Sequence, residues 1–204
     1  MKHPGLALIE KRASTSHYDA AQSVSDTEIE NLVRLATRAP SAYNLQNWRF
    51  IAVRSPERKA QLCALAYGQT KVEAAAVTFI VCGVLPNSAM LPARLQPFVD
   101  AGYMPADMPA AWQAAASRQY SDERTARDEA IRSASLGAAT LMFAAEALGL
   151  ASGPMVGFDA ASLADEFDLE ADEVPVMLVT VGRAAPGNWP QKPRREIEEV
   201  LQFS

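Results

Sequence analysis

Four short polar segments contain the residues of this sequence that could do chemistry. They are residues 11–18 (KRASTSHY), 39–48 (APSAYNLQNW), 67–71 (YGQTK) and 190–195 (PQKPRR). Their side chains are mainly hydrogen-bonding groups and cations, without an evident nucleophile or acid–base pair. Such a set suits a protein that binds a cofactor, because the cofactor then supplies the reactive atoms and the protein supplies position and charge.

Several other kinds of site are not supported by the sequence. It contains no G-x-x-x-x-G-K-[ST] phosphate loop and no G-x-G-x-x-G after a strand. A G-x-S-x-G turn is also missing, and neither histidine is placed for a hydrolase triad. Because the two cysteines and two histidines lack metal-ligand spacing, we expect no metal site.

Composition and charge narrow the class of protein further. The chain has 204 residues, of which 49% are hydrophobic and 21% charged, and this is enough for one sizeable domain with a core. Its net charge of -5 argues against nucleic-acid binding. The N-terminal apolar segment is too short for a signal peptide, and no apolar run is long enough to span a membrane. We therefore expect a cytoplasmic protein.

The apolar patterns predict helices around a sheet. Ser25 and Glu28 form a capping-box pattern, and the helix that it opens should end at Pro40. Strands are expected at 48–53, 75–83 and 174–181, and a strand or extended loop at 151–157. Further helices are expected in the ranges 5–11, 56–66, 123–149 and 159–168, with a weakly helical tail from about residue 195.

Two regions have alternative interpretations. Residues 86–122 contain five prolines, which predict short helices separated by proline breaks. This segment could be a lid or partner surface, or a passive surface excursion. The small residues Ser133, Gly137 and Ala144 indicate that helix 123–149 approaches another backbone closely, in the core or across a dimer interface. The whole chain, 1–204, is predicted to be a single α+β domain.

The polar segments, taken in order, resemble those of the FMN-dependent nitroreductase family. Residues 12–14 (RAS) resemble its N-terminal Arg-x-Ser motif, and 40–48 resemble its Pro-Ser-x-x-Asn-x-Gln-Pro-Trp loop. Residues 148–158 resemble a Gly-Leu-x-x-x-Pro-x-x-Gly-Phe segment, and 192–194 (KPR) a C-terminal Lys-x-Arg motif. The resemblance runs from residue 8 to about 200 and fails only in 86–122, where the family is variable.

This resemblance implies a fold, an assembly and a reaction. The fold is an α+β sandwich with a central, mainly antiparallel sheet flanked by helices. Two chains form a homodimer, with FMN in each of two clefts between the subunits. NADH or NADPH reduces the flavin, and a small aromatic, nitroaromatic or quinone-like acceptor then takes the electrons in a ping-pong cycle.

The resemblance also implies the cofactor contacts. Arg12, Lys192 and Arg194 would bind the phosphate, and Lys71 would stabilise the reduced ring. Backbone N–H groups of Val156 and Gly157 would face flavin N5, so no catalytic side chain is expected. The cofactor-binding residues are Arg12, Ala13, Ser14, Ser16, Ser41, Ala42, Tyr43, Asn44, Gln69, Lys71, Pro154, Met155, Val156, Gly157, Lys192 and Arg194.

Some alternatives stay open at this point. Asn44 could be an ordinary turn residue, and Lys71 a solvated cation on a helix. Ser16 stands where many members have Lys or Arg, so we expect a lower flavin potential than theirs. The chain could also be a flavin-destroying or dehalogenating member, or a non-enzymatic flavin-binding protein.

Overall fold

The structure is a computed structural model that describes residues 3–204. Its four strands are β1 (Trp48–Val53), β2 (Val77–Val84), β3 (Ala151–Met155) and β4 (Glu173–Gly182). The α-helices are α1 (Pro4–Lys11), α2 (Asp26–Ala36), α3 (Pro56–Leu65), α4 (Lys71–Ala74), α5 (Leu91–Asp100), α6 (Met108–Gln119), α7 (Glu123–Ala147) and α8 (Ala160–Glu166). Short 3-10 helices cover Ala42–Asn44, Ser88–Met90 and Ile197–Glu199. Within residues 3–204, no helix combines the length and the apolar character that crossing a membrane requires.

The sheet has the order β1-β2-β4-β3, and each neighbouring pair is antiparallel. At its centre, Ile80 pairs with Ile51 of β1 on one side and with Leu178 of β4 on the other. Helices lie against this sheet, so the predicted α+β fold with a mainly antiparallel sheet is confirmed. The four predicted strands are also confirmed, with ends that differ by one or two residues.

Strand β2 is almost entirely apolar because both of its faces are buried. Val77, Phe79 and Val81 pack in one core cluster with residues of α2 and α7. Ile80 and Cys82 point to the opposite face and pack with residues of α3 and α8. Successive side chains of a strand point to opposite faces, so a strand between two helical layers is apolar on both of them. The exception is the buried Thr78, whose hydroxyl donates to the Val72 carbonyl oxygen.

Helix α7 lies unusually close to the sheet of its own chain. A Cβ atom added to Gly83 of β2 would lie 2.4 Å from the Ala130 carbonyl oxygen of α7. At Gly137 an added Cβ would lie 3.1 Å from the Phe50 ring. The predicted close approach is therefore found in the core, and Ser133 and Gly137 are buried there.

The other helix predictions differ from the structure in three places. The capping box at Ser25 and Glu28 is present, but α2 ends at Ala36 and a turn precedes Pro40. The Thr37 hydroxyl donates to the Arg34 carbonyl oxygen at 2.9 Å, which helps to close that helix early. Helix α4 was not predicted, because four residues are too few to show a helical period. The tail is helical only over Ile197–Glu199.

The proline-rich segment forms α5 and α6, as short helices were predicted there. Pro92 and Pro109 lie in the first turn of these helices, where a missing N–H costs no hydrogen bond. The expected proline break fails at Pro97, which lies inside α5.

Candidate cofactor-binding site

The N-terminal polar segment lies along the edge of the sheet. Ser14 forms a parallel bridge with Ser152 of β3, and the Thr15 N–H donates to the Ser152 carbonyl oxygen at 3.0 Å. The hydroxyl of Tyr18 lies 2.8 Å from Thr180 Oγ1, and burial raises the pKa of Tyr18. Gly153 allows the N-terminal segment to lie this close to β3, since a Cβ atom added to Gly153 would lie 2.4 Å from the Thr15 carbonyl oxygen.

The C-terminal segment is bound to the N-terminal one by two amide side chains. Asn188 Oδ1 accepts from the backbone N–H groups of Ser16, at 2.8 Å, and His17, at 2.9 Å. Its Nδ2 donates to the carbonyl oxygens of His17 and Ala185. Gln191 Nε2 donates to the Arg12 carbonyl oxygen at 3.1 Å. Two polar segments that are far apart in the sequence thus lie side by side.

A cleft of about 480 Å³ opens where these segments meet α4 and β3. Its volume is within the usual range for small-molecule sites. Six of the predicted cofactor residues line it: Ser14, Ser16, Lys71, Pro154, Lys192 and Arg194. The other lining residues, which were not predicted, are His17, Gly187, Asn188, Trp189, Pro190 and Gln191.

The cleft is electrostatically suited to an anion. Among the described residues that line it, there are three lysines and arginines and no carboxylate. Burial lowers the pKa of Lys71, and the nearby charge of Lys192 lowers it further. Lys192 Nζ also lies 5.9 Å from the centre of the Trp189 ring. A bound anion would relieve the repulsion between these cations.

The backbone of Arg12 lies next to the cleft, since its carbonyl oxygen accepts from Gln191, but Arg12 is not among the lining residues. Its Nη1 atom is buried and has no hydrogen-bond partner in the part of the chain that the structure describes. Leaving a buried donor unpaired costs about 1–3 kcal/mol, and more for a charged group. A phosphate supplied by a ligand would satisfy such a group, so the residues at this site fit the phosphate-bearing cofactor that the resemblance implies.

The remaining residues predicted near the ring are placed in different ways. Gln69 Nε2 donates to the Gly157 carbonyl oxygen at 2.9 Å, which brings these two predicted residues together. Val156 is 73% exposed and therefore accessible. The Met155 side chain instead packs in the core between the sheet and α3, so only its backbone is available to a ligand. Ala13 lines a separate, shallow depression.

The loop with Ser41, Ala42, Tyr43 and Asn44 is not brought to this cleft. Ser41 Oγ accepts from the Gln46 N–H at 2.9 Å, so this hydroxyl shapes the loop itself. Asn47 is buried and donates to the Val84 carbonyl oxygen of β2 at 3.0 Å. Trp48 packs on the core.

The sequence reasoning missed Asn188 and Trp189, and it gave no role to Gln191, although Gln191 lies in the polar segment 190–195. The stretch of residues 186–190 (PGNWP) has the composition of a turn, and Gly187 has a φ of 93°. Turn composition alone does not show that an asparagine side chain will bond to a segment more than 170 positions away. The sequence therefore indicated the turn, but it did not indicate which segment the turn would bond to.

Comparisons with known proteins agree with this arrangement. The sequence model of the Nitroreductase family matches residues 9–183. The Bacillus subtilis (strain 168) protein named "Putative NAD(P)H nitroreductase YodC" is 34% identical over 179 residues, which cover 88% of this chain and 89% of that protein.

Two crystal structures are similar over nearly their whole length. A "putative nitroreductase in complex with FMN" from Exiguobacterium sibiricum 255-15 has a TM-score of 0.89 and 28% identity, and the match covers 100% of this chain and 99% of that one. The nitroreductase ydfN from Bacillus subtilis has a TM-score of 0.91 and 26% identity, with 98% of each chain covered. This chain therefore belongs to the nitroreductase family.

Proposed function

We propose that this chain is an FMN-dependent NAD(P)H oxidoreductase that reduces nitroaromatic, quinone or related acceptors in a ping-pong cycle. The observation that carries the proposal is the lining of the cleft, in which the described residues include three cations and no carboxylate. It is joined by the buried, unpartnered Nη1 atom of Arg12, a residue whose backbone carbonyl oxygen is bonded to Gln191 of that lining. The names of the relatives support it, since YodC is called an NAD(P)H nitroreductase and one similar structure contains FMN.

The two chain ends would hold the phosphate. Arg12, Lys192 and Arg194 supply the positive charge, and the guanidinium groups can each donate two parallel hydrogen bonds to phosphate oxygens. The hydroxyls of Ser14 and Ser16 add neutral hydrogen bonds at the same cleft. The bonds from Asn188 and Gln191 keep these groups together before any ligand binds.

Lys71 would act on the redox chemistry rather than on the phosphate. FMN, when bound, supplies a ring that takes up a hydride from a nicotinamide and passes two electrons to an acceptor. A positive side chain beside the ring stabilises the negative charge that builds up on reduction. Gln69, bonded to the Gly157 carbonyl oxygen, would help to fix the backbone of 156–157 beside the ring.

A homodimer would complete the site. Large apolar side chains are exposed on α1 and on the C-terminal tail, where Phe203 is 90% exposed. The others in these two places are Leu6, Ile9, Ile197, Val200 and Leu201. A second copy could cover them, and the loop of residues 41–44 would then reach the cleft of the other chain. In this proposal each chain is one domain, and 86–122 is a variable insertion in it.

Anaerobic reduction tests the proposed function. The purified protein should be yellow, and NADH or NADPH should bleach it without oxygen. A nitroaromatic or quinone added afterwards should restore the colour and be consumed. A colourless protein that takes up no added FMN would contradict the proposal. Yellow protein that neither nicotinamide reduces would instead favour a flavin-binding protein, and irreversible loss of the flavin spectrum a flavin-destroying enzyme.

A further inference from the structure

Helices α5 and α6 share a small core with the loop that follows α2. Leu91 and Leu95 of α5 and Ala116 of α6 are buried in it, and the other buried member is Leu45 of the loop. Tyr43 packs at the edge of the same cluster. The loop therefore contributes to the core of the α5–α6 pair, although it belongs to a different part of the sequence.

Hydrogen bonds and aromatic contacts join the loop to both helices. Arg94 of α5 donates to the Leu45 carbonyl oxygen. The Tyr43 hydroxyl lies 2.8 Å from Gln119 Oε1 at the end of α6 and donates to it. The Tyr43 ring meets Trp112 edge-on, with centroids 5.9 Å apart and an angle of 75° between the planes. Tyr120 meets the same ring from another side, with centroids 6.3 Å apart.

The backbone of this loop needs such support. Tyr43, Asn44 and Gln46 have φ values of 52°, 58° and 48°, in the left-handed region that non-glycine residues rarely adopt. Three such residues within four positions persist only where surrounding contacts enforce the conformation. Ser41 Oγ, which accepts from the Gln46 N–H, supplies a contact inside the loop. The α5–α6 pair supplies the contacts from outside.

We propose that Tyr43, held by Trp112 and Gln119 of α6, is a positioning residue that keeps residues 41–46 in the conformation required for cofactor binding. This inference rests on the proposed function, in which Ser41 and Asn44 contact FMN. Trp112 and Gln119 act on FMN only through Tyr43 in this account. The variable helical segment would therefore set cofactor affinity without touching the cofactor.

The expected change in the Kd for FMN follows from the fraction of molecules whose loop has the binding conformation. The apparent dissociation constant equals the intrinsic one divided by the fraction of molecules in the competent conformation. If loss of the Trp112 ring lowers that fraction to about one tenth, the Kd for FMN rises about tenfold. The loop amides should then exchange their hydrogens at least about tenfold faster, because the open fraction rises from below about one tenth to about nine tenths.

The test compares Trp112→Ala with two matched variants. Trp112→Phe keeps an aromatic ring against Tyr43, and Phe98→Ala removes an exposed ring from α5 that faces Tyr103 instead. Hydrogen exchange at the amides of residues 44–46 is measured without cofactor, and the Kd for FMN by quenching of flavin fluorescence. Trp112→Ala should raise the Kd about tenfold and the exchange rate at least about tenfold. Trp112→Phe should restore most of the loss, and Phe98→Ala should change neither.

Three outcomes decide the inference. It is overturned if Trp112→Ala leaves exchange at 44–46 unchanged, or if exchange rises while the Kd for FMN stays within about twofold of wild type. A melting temperature that falls equally in Trp112→Ala and Phe98→Ala, without selective exchange in the loop, also overturns it. If Trp112→Ala does not fold, Tyr43→Phe, which removes only the bond to Gln119, is judged by the same two measurements.

The two proposals fail in different ways. If the wild-type protein binds no FMN, the proposed function is wrong. The exchange measurement needs no cofactor and still shows whether α6 holds the loop.

Discussion

Arg12 is the residue at which structure and function are most closely linked. The residue is half-buried, and its Nη1 atom is buried without a partner among the described residues. This arrangement costs stability in the free protein, and it is explained if the group is completed by a ligand anion.

Replacing this side chain gives two effects of opposite sign. We expect Arg12→Gln to raise the Kd for FMN about 10- to 100-fold, because charged hydrogen bonds contribute about 1.5–3 kcal/mol each. The cofactor-free protein should unfold at the same temperature as wild type or higher, since a buried N–H donor without a partner is removed. Fluorescence titration and thermal melts measure the two effects, with Arg127→Gln on the exposed side of α7 as the control.

A loss of melting temperature in cofactor-free Arg12→Gln, without a change in the Kd, would show that Arg12 is only structural.

Lys71 should also lower the stability of the cofactor-free protein, and this effect should depend on pH. Its pKa is lowered by burial and then by Lys192, so the unfolded chain binds its proton more strongly than the folded chain. The folded protein therefore loses the Lys71 proton at a lower pH than the unfolded chain does. Between the lowered pKa and the ordinary pKa of lysine, the stability of the cofactor-free protein should rise with pH. Lys71→Gln should be at least as stable as wild type at neutral pH, and this advantage should disappear in alkaline solution.

Denaturant titrations between neutral and alkaline pH measure this difference. The same variant should also have a lower flavin midpoint potential, because a cation beside the ring has been removed. A midpoint potential that is unchanged or higher would argue that Lys71 lies too far from the ring.

At the scale of the elements, the sequence pattern predicted the features that depend on neighbouring residues. The burial of β2 on both faces and the capping box at Ser25 follow from side-chain pattern alone, and both are present. The early end of α2 at Ala36 and the four-residue α4 do not follow, since competing turn bonds and very short helices leave no period to detect. Pro97 inside α5 shows that tertiary packing can override a helix-breaking residue.

The position of the C-terminal segment that lines the cleft depends on Asn188. Its side chain makes four bonds to backbone groups in or beside the cleft, with distances of 2.8–2.9 Å. We expect Asn188→Ala to raise the Kd for FMN about tenfold or more and to lower stability by about 1–3 kcal/mol, because the N–H groups of Ser16 and His17 lose their acceptor. Asn87→Ala, which removes one local cap bond at an exposed site, is the control.

Isothermal titration with FMN and denaturant unfolding measure the effects of Asn188→Ala. A Kd that matches that of the control would mean that the C-terminal segment is held by other contacts.

At the scale of the whole molecule, the proposed dimer makes a direct prediction. Sedimentation should give a particle of twice the chain mass of 22.0 kDa. Replacing the exposed Leu201 and Phe203 together by Ser should weaken the dimer at least about tenfold, because burial of each such side chain contributes about 1.5–3 kcal/mol. Phe98→Ser, an exposed aromatic of α5, should not. A wild-type monomer at micromolar concentration would refute the proposed assembly.

The site as a whole was predictable only in part. The resemblance to the family implied phosphate binding at both chain ends, and the structure brings Ser14, Ser16, Lys192 and Arg194 to one cleft. The bonds that hold these segments together, from Asn188 and Gln191, depend on contacts across almost the full chain length. No local pattern encodes such contacts, and the proposed position of the 41–44 loop against a partner chain would depend on a second copy of the chain.

The central claim is that cations from both ends of the chain bind the phosphate of one flavin. Its most direct test is the affinity of the unmodified protein for FMN and for riboflavin, which has the same ring and no phosphate. We predict that FMN binds at least about 100-fold more tightly, since two or more charged hydrogen bonds are lost with riboflavin. Equal affinity for the two flavins would contradict the account.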